Sequence, residues 1–174
     1  MLHRPLESEY PEYYVSYVKL VSEGDLLEIL KENLAEMTNL FDRISEENGK
    51  FRYASGKWSV KEVLGHMTDT ERIMSYRLLR VGRGDQTPLA GFNENDYING
   101  SQFDQISNKT ILEDFTAVRH ATITLIQTMA AEAWNRTGIA NGTEITTRAI
   151  AYIIAGHAIH HTNIIRERYL PGLK

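Results

Sequence analysis

The sequence predicts an all-α protein, a four-helix bundle with up-down-down-up connectivity. Four long segments repeat apolar residues at every third or fourth position, helix-start motifs precede three of them, and alternating patterns typical of β-strands are nearly absent. With 174 residues, 42% of them hydrophobic and 24% charged, the chain is long enough for one buried core. We therefore expect residues 1–174 to form a single domain.

The N-terminal part of the chain predicts an aromatic strap followed by the first helix. Residues 1–21 are expected to pack on the body in a structural role, and they carry four closely spaced tyrosines, Tyr10, Tyr13, Tyr14 and Tyr17. The first helix is expected from about residue 22 to residue 49. Ser22 and Asp25 resemble a capping box at its start, and Gly49 is a residue type that commonly ends a helix.

The second helix has the clearest start signal, and an unusually long joint follows it. Ser59 and Glu62 form a capping-box pattern, which predicts a helix from residue 60 to about residue 81. Residues 82–107 are rich in glycine and are too numerous for the short link usual in a bundle. Long joints of this kind are often functional, and a short turn of helix is expected around residues 93–98.

Two more helices follow the long joint. Thr110 and Glu113 resemble a capping box for the third helix, which is expected to end by Trp134. The fourth helix is expected from near Thr146 to about Tyr169, where a Pro-Gly pair stops it. Short links make neighbouring helices antiparallel, whereas the long joint can cross the bundle and leave the second and third helices running the same way.

Composition excludes several classes of function. The 19 basic and 23 acidic residues give a net charge of −4, so nucleic acid is a poor expectation, and a small-molecule substrate is the preferred one. The chain has no cysteine, so any metal must be held by His, Asp or Glu. The N-terminus lacks a signal-peptide pattern, and no apolar run approaches the roughly 20 residues of a membrane span. We therefore expect a cytoplasmic protein that does not bind a membrane.

Histidines carry the strongest chemical signal. The chain has six, and three of them lie in the fourth helix, at positions 157, 160 and 161. At 100° per residue, His157 and His161 lie about 40° apart within the apolar stripe, whereas His160 lies about 60° to one side. Two imidazoles one helical turn apart can bind a single metal ion. The alternative is a pair of core histidines that are satisfied by hydrogen bonds.

A third ligand has to come from another helix, and His66 is the natural source. It lies on the flank of the apolar stripe of the second helix, although His66 considered alone is more typical of a core histidine. Three neutral imidazoles suit zinc, nickel or a similar divalent ion. His120 is expected on the surface, and His3 carries no signal.

Glu71 is a carboxylate inside the apolar stripe of its helix, so it needs a partner. That partner is expected to be a ligand histidine or an arginine, with Arg168 available on the fourth helix. Asp69 is the alternative acceptor for a ligand histidine. Glu71 and His160 are therefore candidates for supporting a metal ligand or transferring a proton, and a salt bridge that fixes packing is the alternative for both carboxylates.

Three separated segments resemble the DinB-like superfamily in its YfiT-type branch. Residues 56–72, with the sequence GKWSVKEVLGHMTDTER, resemble the first metal-ligand motif of that family, and residues 149–161, AIAYIIAGHAIHH, resemble the second. Residues 87–97, TPLAGFNENDY, are similar to its loop between the second and third helices. The resemblance implies a four-helix bundle, a divalent metal on His66, His157 and His161, and frequent homodimers. Asn93 stands where the family pattern has an aspartate.

The resemblance also implies a choice of reactions. Better understood relatives are transferases that use low-molecular-weight thiols such as bacillithiol or mycothiol, glutathione-using isomerases and hydrolases. Because the chain has no cysteine, the first hypothesis is S-transfer, with the nucleophilic sulfur supplied by a thiol cosubstrate. The second is metal-dependent hydrolysis, and the third is a bundle that uses its metal without catalysis. Phe92 and Tyr97 in the long loop are expected either to shape the substrate pocket or simply to pack on the bundle.

Overall fold

The computed structural model describes residues 2–173, which fold around a bundle of helices. In this range the α-helices are α1 (Val15–Leu20), α2 (Leu26–Phe41), α3 (Glu46–Gly49), α4 (Val60–Gly82), α5 (Glu94–Gly100), α6 (Asn108–Gln127) and α7 (Thr147–Ile164). Two short strands, β1 (Thr137–Ala140) and β2 (Thr143–Thr146), form an antiparallel hairpin. The four long helices α2, α4, α6 and α7 pack together, which confirms the predicted bundle.

Helices α4 and α6 run in the same direction. Contacts between the two segments follow the same order along both: Ser59 bonds Asp104, Arg72 pairs with Asp114, and Gly82 lies against Met129. The chain therefore has to travel back along the full length of α4 before α6 can begin. The long joint predicted from the sequence does this, and it carries α5 on the way.

Helix α7 runs against α4. At one end, the Tyr169 hydroxyl donates to the carbonyl of Trp58 at 2.7 Å, and at the other end Thr147 lies beside Gly82. None of the helices within residues 2–173 is both long and apolar enough to cross a membrane.

Helix α2 runs against α6 and is held to it by buried polar bonds. In the middle of α6, Arg119 donates to the Leu30 carbonyl at 2.9 Å and to Asn33 Oδ1 at 3.1 Å. At the start of α6, Asn108 donates to the Ile44 carbonyl at 2.8 Å. With α4 and α6 parallel and both antiparallel to their outer neighbours, the predicted up-down-down-up connectivity is confirmed.

The first helix is shorter than predicted. Asp25 is itself the N-cap of α2, so the capping box proposed for Ser22 and Asp25 was wrong. Helix α2 ends at Phe41, and a separate short helix, α3, follows it. The break has a local cause, because the Ser45 hydroxyl accepts the Asn48 N–H and caps a new start instead of continuing the old helix.

Of the other two predicted capping boxes, one is present and one is not. Ser59 and Glu62 satisfy each other's backbone N–H groups at 3.1 and 2.7 Å, which confirms the start of α4. The box proposed for Thr110 and Glu113 was wrong, since the cap of α6 is Ser107, whose hydroxyl accepts the Thr110 N–H. The N-cap lies three residues before the N–H group that it accepts, so the predicted start was three residues late.

The β-hairpin was not predicted, although the sequence contains its strongest short-range signal. Asn141 and Gly142 form its two-residue turn with φ angles of 52° and 75°, the left-handed conformations that a type I′ turn requires. In the long joint, the Leu89 N–H donates to the Ile139 carbonyl, and the Leu89 carbonyl accepts from the Asn141 N–H, at 2.9 Å each. The hairpin thus anchors the crossover. Its last residue, Thr146, is the N-cap of α7, which confirms the predicted start of the fourth helix near Thr146.

The N-terminal strap lies along α7, with α1 in direct contact with it. Glu9 receives two bonds from Arg148, one of them at 2.6 Å, and Val18 is almost completely buried. Gly156 allows the two elements to approach closely, because a Cβ atom at that position would overlap the backbone carbonyl oxygen of Tyr17. The strap is therefore held on α7 by side-chain hydrogen bonds and by a close backbone contact that only glycine at position 156 allows.

We predict that Gly156→Ala lowers the free energy of unfolding by about 1–3 kcal/mol, because the added methyl group forces α1 away from α7. Urea denaturation followed by circular dichroism measures this, and hydrogen exchange should show increased opening within α1. Gly100→Ala is the matched control, since open space surrounds Gly100. Equal stability of the two variants would contradict the close approach.

Candidate metal centre

Helices α4 and α7 bring three imidazole rings to one point. His66 on α4 and His157 and His161 on α7 are 7%, 8% and 9% exposed, respectively. The Nε2 atoms of His66 and His157 are 3.0 Å apart, and one ring nitrogen from each of the three histidines lies within 4.8 Å of the others. These are the residues that the sequence predicted as ligands, and their use as ligands remains a prediction.

Burial makes all three rings neutral at pH 7. Desolvation lowers the pKa of His66 to about 4, with the nearby His160 contributing, and it lowers the pKa values of His157 and His161 well below 6.5. A neutral imidazole has one nitrogen lone pair free to bind a metal, which a protonated ring lacks. The three rings are therefore in the protonation state that metal binding requires.

Hydrogen bonding satisfies part of the cluster but not all of it. The close pair of His66 and His157 is compatible with a direct N–H···N bond, and the Thr70 hydroxyl lies 3.5 Å from Nδ1 of His66. In contrast, Nδ1 of His161 is buried without a hydrogen-bond partner among residues 2–173. Buried polar atoms in a protein core rarely lack a hydrogen-bond partner, whereas one metal ion could be coordinated by all three rings.

A cavity of about 550 Å³ opens beside the histidines. Its walls combine aromatic rings with a few polar groups: Tyr13, Tyr14, Tyr17, Trp58, Phe92, Thr70, Arg77 and Glu94. This volume is in the range of small-molecule sites. The strap was not predicted to be part of this wall, although the cluster of closely spaced tyrosines in residues 1–21 was an available signal.

Tyr17 joins the strap to the histidine cluster. Its ring contacts those of His157 and His160 edge-on, at centroid distances of 5.5 and 5.1 Å. His160 is only half-buried, and it packs against His161 at 4.9 Å without belonging to the converging set. This agrees with its predicted place at the edge of the helix stripe. Burial, with a contribution from Arg168, lowers the pKa of His160, so this ring is also neutral at pH 7.

Glu71 is engaged by a different arginine from the one expected. Its carboxylate accepts three bonds from Arg119, at 2.8 to 3.1 Å, and both side chains are buried. Arg168 instead donates to Tyr53. Asp69 lies 3.6 Å from Arg72 on the polar side of α4. With both oxygens held by Arg119, the geometry favours the packing role that the sequence left open for Glu71.

Of the two aromatic residues of the long loop that were candidates for the pocket, one lines the cavity. Phe92 lines the cavity, whereas Tyr97 packs on Phe92 at 5.2 Å, is half exposed and is not part of the wall. Asn93 caps α5 by accepting the Asn95 N–H at 2.9 Å, and α5 is the short helix predicted around residues 93–98. An aspartate could make the same cap, so the departure at Asn93 leaves this part of the loop intact. His120 is exposed, as expected.

Comparison with known proteins agrees with this architecture. The sequence model of the DinB superfamily matches residues 29–165 of the 174-residue chain. The chain belongs to the DinB superfamily. No curated protein sequence matches this DinB chain.

Among the solved structures that share its fold are the following two. One is YfiT from Bacillus subtilis, described as "a probable metal-dependent hydrolase with an unusual four-helix bundle topology", with a TM-score of 0.74 and 17% identity over 95% of this chain and 90% of that one. The other is a mycothiol-dependent maleylpyruvate isomerase, with a TM-score of 0.66 and 11% identity over 83% of this chain. The DinB chain spans 61% of the isomerase. At these identities the likeness shows the fold alone.

We predict that His157→Ala weakens binding of Zn²⁺ and Ni²⁺ by more than about 100-fold, because loss of a direct ligand costs more than loss of a residue that only orients one. Titration calorimetry on the metal-free chain measures the affinity. His120→Ala, at an exposed position, is the control and should bind as the wild type does. Undiminished binding by His157→Ala would show that the cluster is a hydrogen-bonded core.

Glu71 is expected to stabilise the fold without affecting metal binding. Glu71→Gln should lower the free energy of unfolding by about 3–5 kcal/mol, since it leaves the fully buried Arg119 cation unpaired, while metal affinity stays unchanged. Glu113→Gln removes an exposed partner of Lys109 and should cost less than about 1 kcal/mol. A folded Glu71→Gln variant with weakened metal binding would contradict the packing role.

Proposed function

We propose that the chain is a metal-dependent enzyme that joins a low-molecular-weight thiol, through its sulfur, to an electrophilic small molecule, with loss of the S–H proton and of the leaving group of the electrophile. The observation that carries the proposal is the convergence of three buried, neutral imidazoles at one side of a cavity sized for small molecules. The similarity in fold to a mycothiol-dependent isomerase is compatible with a thiol as cosubstrate.

In this proposal His66, His157 and His161 hold a divalent ion, with zinc or nickel the best match to their chemistry. Neutral imidazole is a preferred ligand of both ions. Catalytic zinc sites use three protein ligands, whereas structural sites use four, so a three-histidine set favours catalysis over a purely structural metal. When bound, such an ion lowers the pKa of a coordinated thiol or water, which supplies a nucleophile at neutral pH.

The aromatic residues of the cavity prepare the site without taking part in bond formation. Tyr17 packs against His157 and restricts its ring, and Trp58 packs against His66 at a centroid distance of 4.8 Å. Each aromatic ring covers one side of the imidazole it packs against, and exclusion of water there strengthens electrostatic interactions. His160, neutral and half-buried at the edge of the cluster, is the chain's candidate proton acceptor.

Thiol transfer fits the charges around the cavity better than hydrolysis. His160 is available as a proton acceptor for either nucleophile, so the difference lies in the carboxylates: Glu71, on the inner face of α4, is held by Arg119 and is not free to activate water. Glu94 is the carboxylate that lines the cavity among residues 2–173, and its presence keeps hydrolysis as the second candidate. The chain has no cysteine, so the sulfur must come from a cosubstrate.

We predict that Zn²⁺- or Ni²⁺-loaded protein conjugates a small thiol to an electrophile such as a haloarene. The thiols to screen are bacillithiol, mycothiol, glutathione and coenzyme A, with product detected by mass spectrometry. His157→Ala should lower the rate by at least about 100-fold through loss of the metal, and His120→Ala should leave it unchanged.

Two outcomes would contradict this proposal. Absence of turnover with all four thiols is one. The other is metal-dependent cleavage of ester, amide or phosphate substrates without added thiol, with Glu94→Gln abolishing it, which would establish the hydrolase instead.

A further inference from the structure

A buried cation in the cavity wall has no counter-ion. Arg77, on α4, is 3% exposed and lines the same cavity as the histidines. Its guanidinium donates to the Ala90 carbonyl at 2.6 Å, contacts Met74 Sδ at 3.4 Å and interacts with the hydroxyl of Tyr14 in the strap. Among residues 2–173, no carboxylate lies within the 4.0 Å of this guanidinium that would make an ion pair. Arg77 is therefore a desolvated positive charge with only neutral partners.

A second buried arginine, Arg119, differs from Arg77 because it has a carboxylate as partner. Arg119 is fully buried, and its guanidinium is matched by the Glu71 carboxylate at 2.8 Å. Burying a charge without an opposite charge is costly, and proteins normally avoid it unless a ligand completes the pair. Arg77 faces a cavity, whereas Arg119 faces the core, so an anion that enters the cavity can reach Arg77.

The position of Arg77 sets the length that a ligand needs to reach both the guanidinium and the histidines. His66, Thr70, Met74 and Arg77 follow one another at steps of four, four and three residues on α4, and all of them line the cavity. Eleven residues of helix correspond to about 16 Å along the axis and to nearly the same face. The Arg77 side chain extends back along α4 to Met74 Sδ, so the guanidinium lies about two to three helical turns from His66 along one wall, too far for one small anion to reach both.

The surroundings of Arg77 specify the chemistry of the ligand. One guanidinium matches one carboxylate through two parallel hydrogen bonds. A phosphate dianion would need further donors, and Glu94 in the same cavity opposes additional negative charge. The Phe92 ring lies 5.9 Å from the guanidinium carbon, and the tyrosines of the strap provide an aromatic wall for an apolar middle section.

We propose that Arg77 binds the terminal carboxylate of an elongated substrate or cosubstrate whose other end reaches the histidine cluster. The location of the reacting end rests on the proposed function. The carboxylate subsite itself requires only the cavity and the guanidinium. Arg77 thus selects monocarboxylates with a spacer of several bonds between the carboxylate and the reacting group.

The test compares decanoate with 1-decanol, two probes of the same length that differ in the end group, on the full-length, metal-free chain. Calorimetry should show decanoate binding about tenfold to 100-fold tighter, the range expected for a charge-assisted hydrogen bond. Arg77→Gln should remove this preference, and Arg77→Lys should retain part of it. Arg83→Gln is the control, because it removes the same charge from an exposed position directly after α4.

Three results would overturn the subsite: no binding of either probe, equal affinity of the two probes for the wild type, or an undiminished preference in Arg77→Gln. Circular dichroism checks that the variant folds. If it does not, the Nε–H resonance of Arg77 in the wild type decides, since it should shift on addition of decanoate and not of 1-decanol. An unmoved resonance counts against the proposal.

A second experiment separates this inference from the proposed function. Zn²⁺-loaded protein is titrated with 10-mercaptodecanoate and with 10-mercapto-1-decanol. If the thiol end adds no affinity but the carboxylate preference persists and depends on Arg77, the thiol-transfer function fails and the subsite stands. If both thiols bind equally in a metal-dependent manner and Arg77→Gln changes neither, the subsite fails and the metal-thiol chemistry stands.

Discussion

The close approach of α4 and α7 at three histidines is the constraint on which this structure depends. Two helices that meet in a core usually bury apolar side chains, but here they bury three neutral imidazoles, one of which has a ring nitrogen without a partner. Desolvation depresses the pKa values of these rings and so removes the protons that would compete with a metal. The same burial that makes the rings costly to pack also makes them good ligands.

The topology turns this meeting point into a site. Because α4 and α6 are parallel, a long segment has to return along α4, and it brings Phe92 and Glu94 to the cavity. The β-hairpin holds that segment through Leu89, while the strap closes another side with three tyrosines. The cavity is therefore built by connections outside the four-helix core, which explains why its walls combine residues that are distant in the sequence.

The two buried arginines show how the bundle separates stability from recognition. Arg119 connects α6 to the Glu71 carboxylate on α4 and to the Leu30 carbonyl and Asn33 side chain on α2. Thr162 of α7 accepts from the same Asn33, which brings the fourth helix into the network. Within this network the Arg119 charge has an opposite charge and hydrogen-bond acceptors, and the network holds the four helices together. Arg77, in contrast, makes no ion pair within residues 2–173 and faces the cavity, where an exogenous anion can pair with it.

Local patterns in the sequence determined the helices, the capping box at Ser59, the length of the crossover and the three histidines, because helical period and capping depend on residues only a few positions apart. The match with the DinB superfamily adds that these elements occur in a known order. Tertiary structure alone decided that Arg119 rather than Arg168 pairs with Glu71, that the strap lines the cavity and that Arg77 lacks a counter-ion. Each of these depends on which distant side chains meet, and a single sequence carries no direct record of such distances.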